Sequence, residues 1–271
     1  MSLQRTFPQA LAPRHYRTVN WVGLQTLYMK EVRRFMTVAT QTILAPMVTT
    51  LLFLAVFVLA LGHAVDQVGG KPYVAFLAPG LIMMAITQNA FANTASSILI
   101  SKIQGNIVDL LMPPLTPLER TIALAGGGLT RGLVVGLATY VAMIPFVPMS
   151  AAHPGFILFH AVMASLLMSL VGVLAGVWAE KFDHMAAITN FIVTPAAFLS
   201  GTFYSAERLP PFWQGVAHAN PLFYMIDGFR YGFFGVSDAS PWLSLGIVGG
   251  AWLVVSAIAV HLLRIGYKIR G

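Results

Sequence analysis

The stretch NPLFYMIDGFRYGFFG, Asn220 to Gly235, decides how this chain must be read. Aromatic and aliphatic side chains fill it, yet Asp227 and Arg230 stand one helical turn apart. A protein core or a bilayer must cover so apolar a segment, and its charges then need partners turned inward to protein or water. The rest of the chain selects the bilayer. Of 271 residues, 57% are hydrophobic and 9% are charged, and the mean hydropathy is +0.76. Soluble domains carry roughly 25% charged residues. The fold class expected is therefore an all-α membrane protein with one membrane domain.

A hydrocarbon core takes about 20 apolar residues per helix. Six segments meet that length: Val38 to Leu61, Tyr73 to Leu99, Thr121 to Val147, Gly155 to Ala179, Met185 to Phe203, and Pro241 to Leu263. Positive residues set their direction. Arg5, Arg14, Arg17, Lys30, Arg33 and Arg34 precede the first span, and Lys102, Arg120 and Lys181 lie in even-numbered loops. Arg264, Lys268 and Arg270 follow the last span, whereas the odd-numbered loops hold only Lys71, Arg208 and Arg230. The positive-inside rule then predicts that both termini are cytoplasmic. Residues 1–19 form a polar N-terminal extension without a cleavable apolar core, so no signal peptide is expected; residues 20–271 form the membrane domain.

Two segments on the predicted cytoplasmic side have helical patterning. In WVGLQTLYMKEVRRFM, apolar residues alternate with Lys30, Glu31, Arg33 and Arg34, which predicts an interfacial amphipathic helix over residues 20–36. In the loop of residues 100–119, Ile103, Ile107, Leu110 and Leu111 recur at helical spacing, with Lys102, Gln104, Asn106 and Asp109 around them. Pro113 and Pro114 stop that helix. Thr116-Pro117-Leu118-Glu119 then reads as a capping box with proline at the first helical position. A short helix, a stiff turn and a newly capped membrane helix in series can pass a push from a cytoplasmic partner into the membrane.

Within the spans, Arg131 is an ionisable group that costs at least ~2.5 kcal/mol on insertion scales. It either snorkels or meets a partner. Gly128, Gly132 and Gly136, then Gly172 and Gly176, then Gly246 and Gly250 repeat every four residues and predict close helix packing. Cysteine is absent, which excludes disulfides, thiolate metal sites and a Cys nucleophile. The seven histidines show no HExxH spacing, so no metal site is expected, and no GxSxG elbow is present. No GxxxxGK[ST] loop occurs, so no ATPase site and no cofactor are expected in this chain. The net charge of +7 follows from topology and does not call for nucleic acid.

The segment between spans five and six, residues 204–235 at its centre, is too apolar for a solvated loop. Pro210-Pro211 precedes one short helix that carries Phe212 and Trp213, and Asn220-Pro221 is an N-cap with a first-turn proline for another. On the second helix Tyr224, Asp227 and Tyr231 share a face, with Arg230 one turn from Asp227. Short re-entrant helices in the outer leaflet are expected.

FLSGTFYSAERLPPFWQGVAHANPLFYMIDGFRYGFFG resembles the C-terminal signature of type 2 ATP-binding-cassette exporter permeases. KIQGNIVDLLMPPLTPLE, Lys102 to Glu119, is similar to that family's coupling-helix region, and FLAPGLIMMAITQNAFANTASSI, Phe76 to Ile98, to its second span. The likeness covers nearly the whole chain and lies nearest the bacterial subgroup that includes the Nod-factor exporter permease. It implies a homodimer in the bacterial inner membrane, with two separate ATPase subunits that bring ATP and Mg. It assigns Lys102, Gln104, Asn106, Ile107, Asp109, Leu110 and Leu111 to ATPase coupling, with Glu31 and Arg33 as a second contact. It makes Phe212, Trp213, Asn220, Pro221, Tyr224, Asp227 and Arg230 part of an outer gate. The implied cargo is a lipid, glycolipid, polysaccharide or hydrophobic drug, and the implied path runs between spans one, two and five. Two other classes stand beside it. A proton-coupled carrier needs mid-membrane acids or histidines, for which His160 and His261 are the nearest candidates; a lipid-modifying enzyme needs a convergent set such as Glu207, His218, Asp227 and Arg230.

Overall fold

The computed structural model describes residues 19–62, 67–68 and 70–269. The extension with Arg5, Arg14 and Arg17, and Arg270 at the other end, lie outside the described residues. Helices α1 (Trp21–Thr37), α2 (Ala45–Leu61), α3 (Tyr73–Ile103), α4 (Ile107–Leu111), α5 (Pro117–Met143) and α6 (Pro154–Trp178) form the first part of the chain. Then come α7 (Phe182–Ile188), α8 (Thr194–Phe198), α9 (Pro211–Ala219), α10 (Pro221–Phe234) and α11 (Pro241–Ile265). A two-residue hairpin, β1 (Gln67–Val68) with β2 (Lys71–Pro72), leads into α3. Sequence periodicity carries no signal for a hairpin that short.

Five helical stretches among the described residues are long and apolar enough to cross a membrane: Thr40–Ala60, α3, α5, α6 and α11. The fifth span expected from the sequence is built differently. It is a composite of α7, a π-helical turn at Thr189–Val193 and α8. It begins at Phe182 instead of Met185 and stops at Phe198 instead of Phe203. The stop comes from the turn around Gly201, whose φ of +74° suits glycine alone. At 1.5 Å per residue, residues 182–198 reach about 25 Å, short of a ~30 Å hydrocarbon core.

Helix α3 is the axis of the bundle. Its 31 residues are buried along nearly their whole length. Between Val74 and the open C-terminal end at Ser101–Ile103, one stripe, Gln88, Ala92, Ser96 and Ile100, is half-open. Helices α5, α6 and α10 pack around it, while α2 and α11 turn most of their surface outward. Lipid tails supply little hydrophobic drive between helices, so close packing and interhelical hydrogen bonds must hold them together. Thr94 Oγ1 on α3 donates to Ser169 O on α6 at 2.6 Å, and Ser169 Oγ donates to Ala125 O on α5 at 3.1 Å. The expected small-residue faces hold on α5 and α6: a Cβ at Gly128 would collide with Ser169, and one at Gly172 with Thr94 and the Phe91 carbonyl. They fail on α11, where Gly246 and Gly250 have no neighbour within 4 Å. That helix's glycines face away from the bundle.

The expected helices between spans five and six are present as α9 and α10. They differ in burial. Phe212 and Trp213 on α9 are exposed, whereas α10 is buried from Leu222 to Arg230 among α3, α6 and α11. Asn220 starts α10: its Oδ1 accepts from Leu222 N at 3.0 Å, and its Nδ2 donates to Ala196 O on α8 at 2.7 Å. Gly235 ends it in the left-handed region, with φ of +69°.

Candidate functional site

At one end of the bundle, α1, α4 and the start of α5 form a single frame. The capping box read from Thr116 and Glu119 is present. Thr116 N donates to Glu119 Oε2 at 2.6 Å, and Glu119 N donates to Thr116 Oγ1 at 3.2 Å. Glu119 does more than cap its own helix. Its Oε1 accepts from Asn20 N at 2.7 Å, and Asn20 in turn caps α1 through Gly23 N at 3.0 Å. Arg120 Nη2 donates to Leu111 O at 2.7 Å, which fastens the C-terminal end of α4 to the root of α5. A displacement of α4 therefore moves α5 and the start of α1 with it.

The frame shows which face of α4 is free. Sequence periodicity grouped Ile103, Ile107, Leu110 and Leu111, and the structure divides that set. Leu110 is 3% exposed, and Ile107 and Leu111 are half-buried against the bundle. The open surface carries Ile103, Gln104, Asn106, Val108, Asp109 and Met112. Helix α4 spans Ile107–Leu111, shorter than the helical pattern that begins at Ile103, because Gly105 with φ +75° breaks from α3 first. Lys102 points elsewhere: its Nζ donates to Val177 O at 2.8 Å and Ala179 O at 2.7 Å, closing the end of α6. Nearby, Lys268 Nζ lies 2.8 Å from Glu180, and that hydrogen bond holds the Glu180 carboxyl below its usual range.

Glu31 is turned inward, with no exposed surface. Its Oε1 accepts from Ser97 Oγ at 2.7 Å, and its Oε2 accepts from Arg34 Nε at 3.3 Å. Arg34 also donates to the Asn93 carbonyl and to Ser96 Oγ. This cluster clamps α1 onto α3 and leaves Gln25, Met29, Lys30 and Arg33 on the open side.

Midway along the bundle, two grooves flank the open stripe of α3. One, of about 310 Å³, lies between α2 and α3 and includes Gln41, Thr49, Gln88 and Asn89. The other, of about 350 Å³, lies between α3 and the 182–198 segment and includes Gln88, Asn89, Ser96, Thr189 and Thr194. Gln88 and Asn89 are common to both. Arg131 on α5 reaches this region, donating from Nη2 to Asn89 Oδ1 at 3.0 Å. The grooves have a feature the sequence reading missed. The spans that wall them each contain a π-helical turn, at Thr40–Leu44 and at Thr189–Val193. The signal was there: TQTILAP, 40–46, and TNFIVTP, 189–195, share the pattern T-[QN]-x-I-x-x-P. Each proline lacks the N–H that the carbonyl four residues earlier would accept in an α-helix, and a π turn accommodates that gap.

At the α9–α10 end, Asp227 and Arg230 are 1% and 4% exposed and have separate partners. Asp227 Oδ1 accepts from Asp238 N at 2.8 Å, and Oδ2 accepts from Ala239 N at 3.0 Å, so it organises the turn into α11. Arg230 Nη2 donates to Gly201 O at 2.9 Å, and its guanidinium lies 3.8 Å over the Phe76 ring. The spacing of three left open whether the two pair with each other; their hydrogen-bond partners come from the turns at Asp238 and Gly201, and the ring beneath Arg230 from α3. Tyr224 is buried on α10, and Pro221 occupies its first turn.

His160 is fully buried between α6 and α11, with Nε2 3.0 Å from Ser244 Oγ. No cluster of three or more His, Cys, Asp or Glu residues able to hold a metal ion occurs among the described residues.

A bundle of apolar helices, five of them long and apolar enough to cross a membrane, with two partly polar grooves midway along it, describes a membrane-embedded subunit. Comparison with known proteins makes this specific. The ABC-2 type transporter family matches residues 22–234. The Escherichia coli K12 protein named inner membrane transport permease YadH is 40% identical over 243 residues, covering 90% of this chain and 93% of its own. Nodulation protein J of Rhizobium meliloti is 26% identical over 222 residues, covering 78% and 80% of the two chains. The protein belongs to the ABC-2 type transporter family and is a permease subunit of an ABC transporter. Permeases of this family typically carry no ATPase site of their own, in keeping with the absence of a P-loop from the sequence.

Proposed function

We propose that two copies of this chain form the membrane half of an ATP-driven exporter in the bacterial inner membrane, with both termini in the cytoplasm. Two separate ABC ATPase subunits, which bind the ATP and Mg, dock beneath α4. The open residues Gln104, Asn106, Val108, Asp109 and Met112 contact the ATPase, while Leu110, Glu119 and Arg120 carry the motion upward. Arg33 on the free side of α1 supplies a second contact, and Glu31 transmits through the clamp to α3. The cargo is amphipathic or polymeric: a lipid, glycolipid, polysaccharide or hydrophobic drug. It moves along the grooves between α2, α3 and the 182–198 segment, and α9 and α10 gate the outer exit.

The observation that carries this reading is the pair of grooves that share Gln88 and Asn89. Polar side chains such as the half-open Gln88 are unfavourable against lipid tails at that depth, which supports a second protomer and a wet pathway as their cover. The chain has no cysteine, so single cysteines report access directly. In native membranes, Gln88→Cys and Thr49→Cys should react with a hydrophilic maleimide, and Leu52→Cys on the exposed apolar face of α2 should not. Equal protection of all three would refute a wet pathway there.

A further inference from the structure

Between the β-hairpin, the start of α3, the turn at Ser205–Arg208, α10 and the turn that follows it lies a cavity of about 230 Å³. Lys71, Arg208 and Arg230 converge on it, with Phe76, Glu207 and Asp238 also in its wall. Its volume has room for several waters, at ~30 Å³ each, or for one small oxyanion.

The charges in the wall are unevenly satisfied. The ion pairs among the described residues involve Glu31 and Glu180 only, so none of the three cations has a carboxylate oxygen of another described residue within 4.0 Å. Asp238 is occupied, since its Oδ2 accepts from Ser205 Oγ and from Ala206 N, each at 2.8 Å. Asp227 sits behind Arg230 with both oxygens taken by the Asp238 and Ala239 amides. Arg230 is 4% exposed and donates one hydrogen bond, to Gly201 O, while its buried Nε has no partner. A guanidinium stays charged in any protein environment, and burying it is costly unless its donors and charge are met; the nearby Asp227 and Asp238 charges offset part of that cost, while the Nε donor is left unmet. Arg208 and Lys71 are each tethered: Arg208 Nη2 donates to Gln67 O at 3.1 Å, and Lys71 Nζ lies 5.8 Å from the Phe234 ring centre.

We propose that this cavity is a binding site for a phosphoryl-type oxyanion, held by Arg230 from the core and by Lys71 and Arg208 from the rim. The Phe76 ring fixes the Arg230 plane, and a tetrahedral oxyanion then accepts from donors on three elements at once. The same chemistry is offered by free phosphate and by the headgroup of an anionic phospholipid. The site depends on neither the export reading nor the groove.

The test uses the full-length protein. The unfolding midpoint is followed against inorganic phosphate in neutral detergent at constant ionic strength, and in phosphatidylcholine nanodiscs with increasing phosphatidylglycerol. Lys71 is half-buried and Arg208 is exposed, so the double variant Lys71→Gln/Arg208→Gln keeps Arg230 and its core contacts. Losing charge-assisted bonds should raise the half-maximal concentration by about tenfold or more. Stabilisation of the parent by phosphate, weakened in the variant, establishes the site with a free anion. Stabilisation by phosphatidylglycerol alone, again weakened in the variant, establishes it with a lipid headgroup. An equal response of parent and variant to both probes, or no response of the parent to either, overturns the proposal.

Discussion

Replacing Leu110 and replacing Met112 should have opposite consequences, although both are apolar residues of one short loop. Leu110 is 3% exposed and belongs to the core cluster with Leu27, Leu124 and Val177. Truncation to alanine leaves a cavity, and such a change costs about 2–5 kcal/mol. Met112 is 77% exposed and Val108 is 51% exposed, on the open side of the same turn. Substitutions at such surfaces usually stay within about ±0.5 kcal/mol of parent stability. If that surface is buried under an ATPase, however, losing one anchor removes roughly 1.5–3 kcal/mol of burial, equivalent to about tenfold or more in affinity. The assay has two arms: the unfolding midpoint of purified permease, and ATP hydrolysis of the complex reconstituted with its ATPase. Leu110→Ala should lower the midpoint. Val108→Asp/Met112→Asp should keep it and require at least about tenfold more ATPase subunit for half-maximal coupled hydrolysis. Unchanged coupling in the double variant, with the midpoint intact, would refute the placement of the ATPase beneath α4.

Three further outcomes follow from the packing. Gly172→Ala drives a methyl into the Phe91 carbonyl and Thr94, and should cost about 1–3 kcal/mol in unfolding, as overpacking does; Gly246→Ala, with open space around it, should cost less than about 0.5 kcal/mol. Asp227→Asn sets an amide donor against one of the two backbone N–H groups it now accepts; it should destabilise by about 1–3 kcal/mol and expose residues 236–240 to limited proteolysis. Arg131→Leu removes the donor to Asn89 and should lower coupled turnover of the complex without reducing the amount of permease in the membrane, whereas unaltered turnover would reduce Arg131 to a snorkelling charge.

Local chemistry was legible in the sequence, and contacts across long chain separations were not. Five of the six expected spans, the Thr116–Glu119 capping box and the Asn220-Pro221 start of α10 all follow from residues within one or two turns of each other. The face of α4 was harder. Its apolar stripe is visible in the periodicity, but whether protein already covers that stripe depends on Leu27 and Leu124. Glu31 read as a surface charge because Arg33 and Arg34 follow it, while Ser97, which buries it, lies 66 residues away. The partners of Asp227 and Arg230 stayed open for the same reason. Their partners are the turn at Asp238, the turn at Gly201 and the Phe76 ring. The shortened fifth span was foreshadowed by Ser200-Gly201-Thr202, but apolarity continues to Phe203 and masks the stop. The recurrence of T-[QN]-x-I-x-x-P was readable and marks both π turns.

The proposed assembly is a dimer of this chain driven by separate ATPases. Native mass spectrometry of the tagged protein, released gently from its own membranes, tests it most directly. The account predicts an assembly of two permease chains with two ATPase chains. A stable permease with no ATPase, under conditions in which other cassette complexes stay whole, would contradict it.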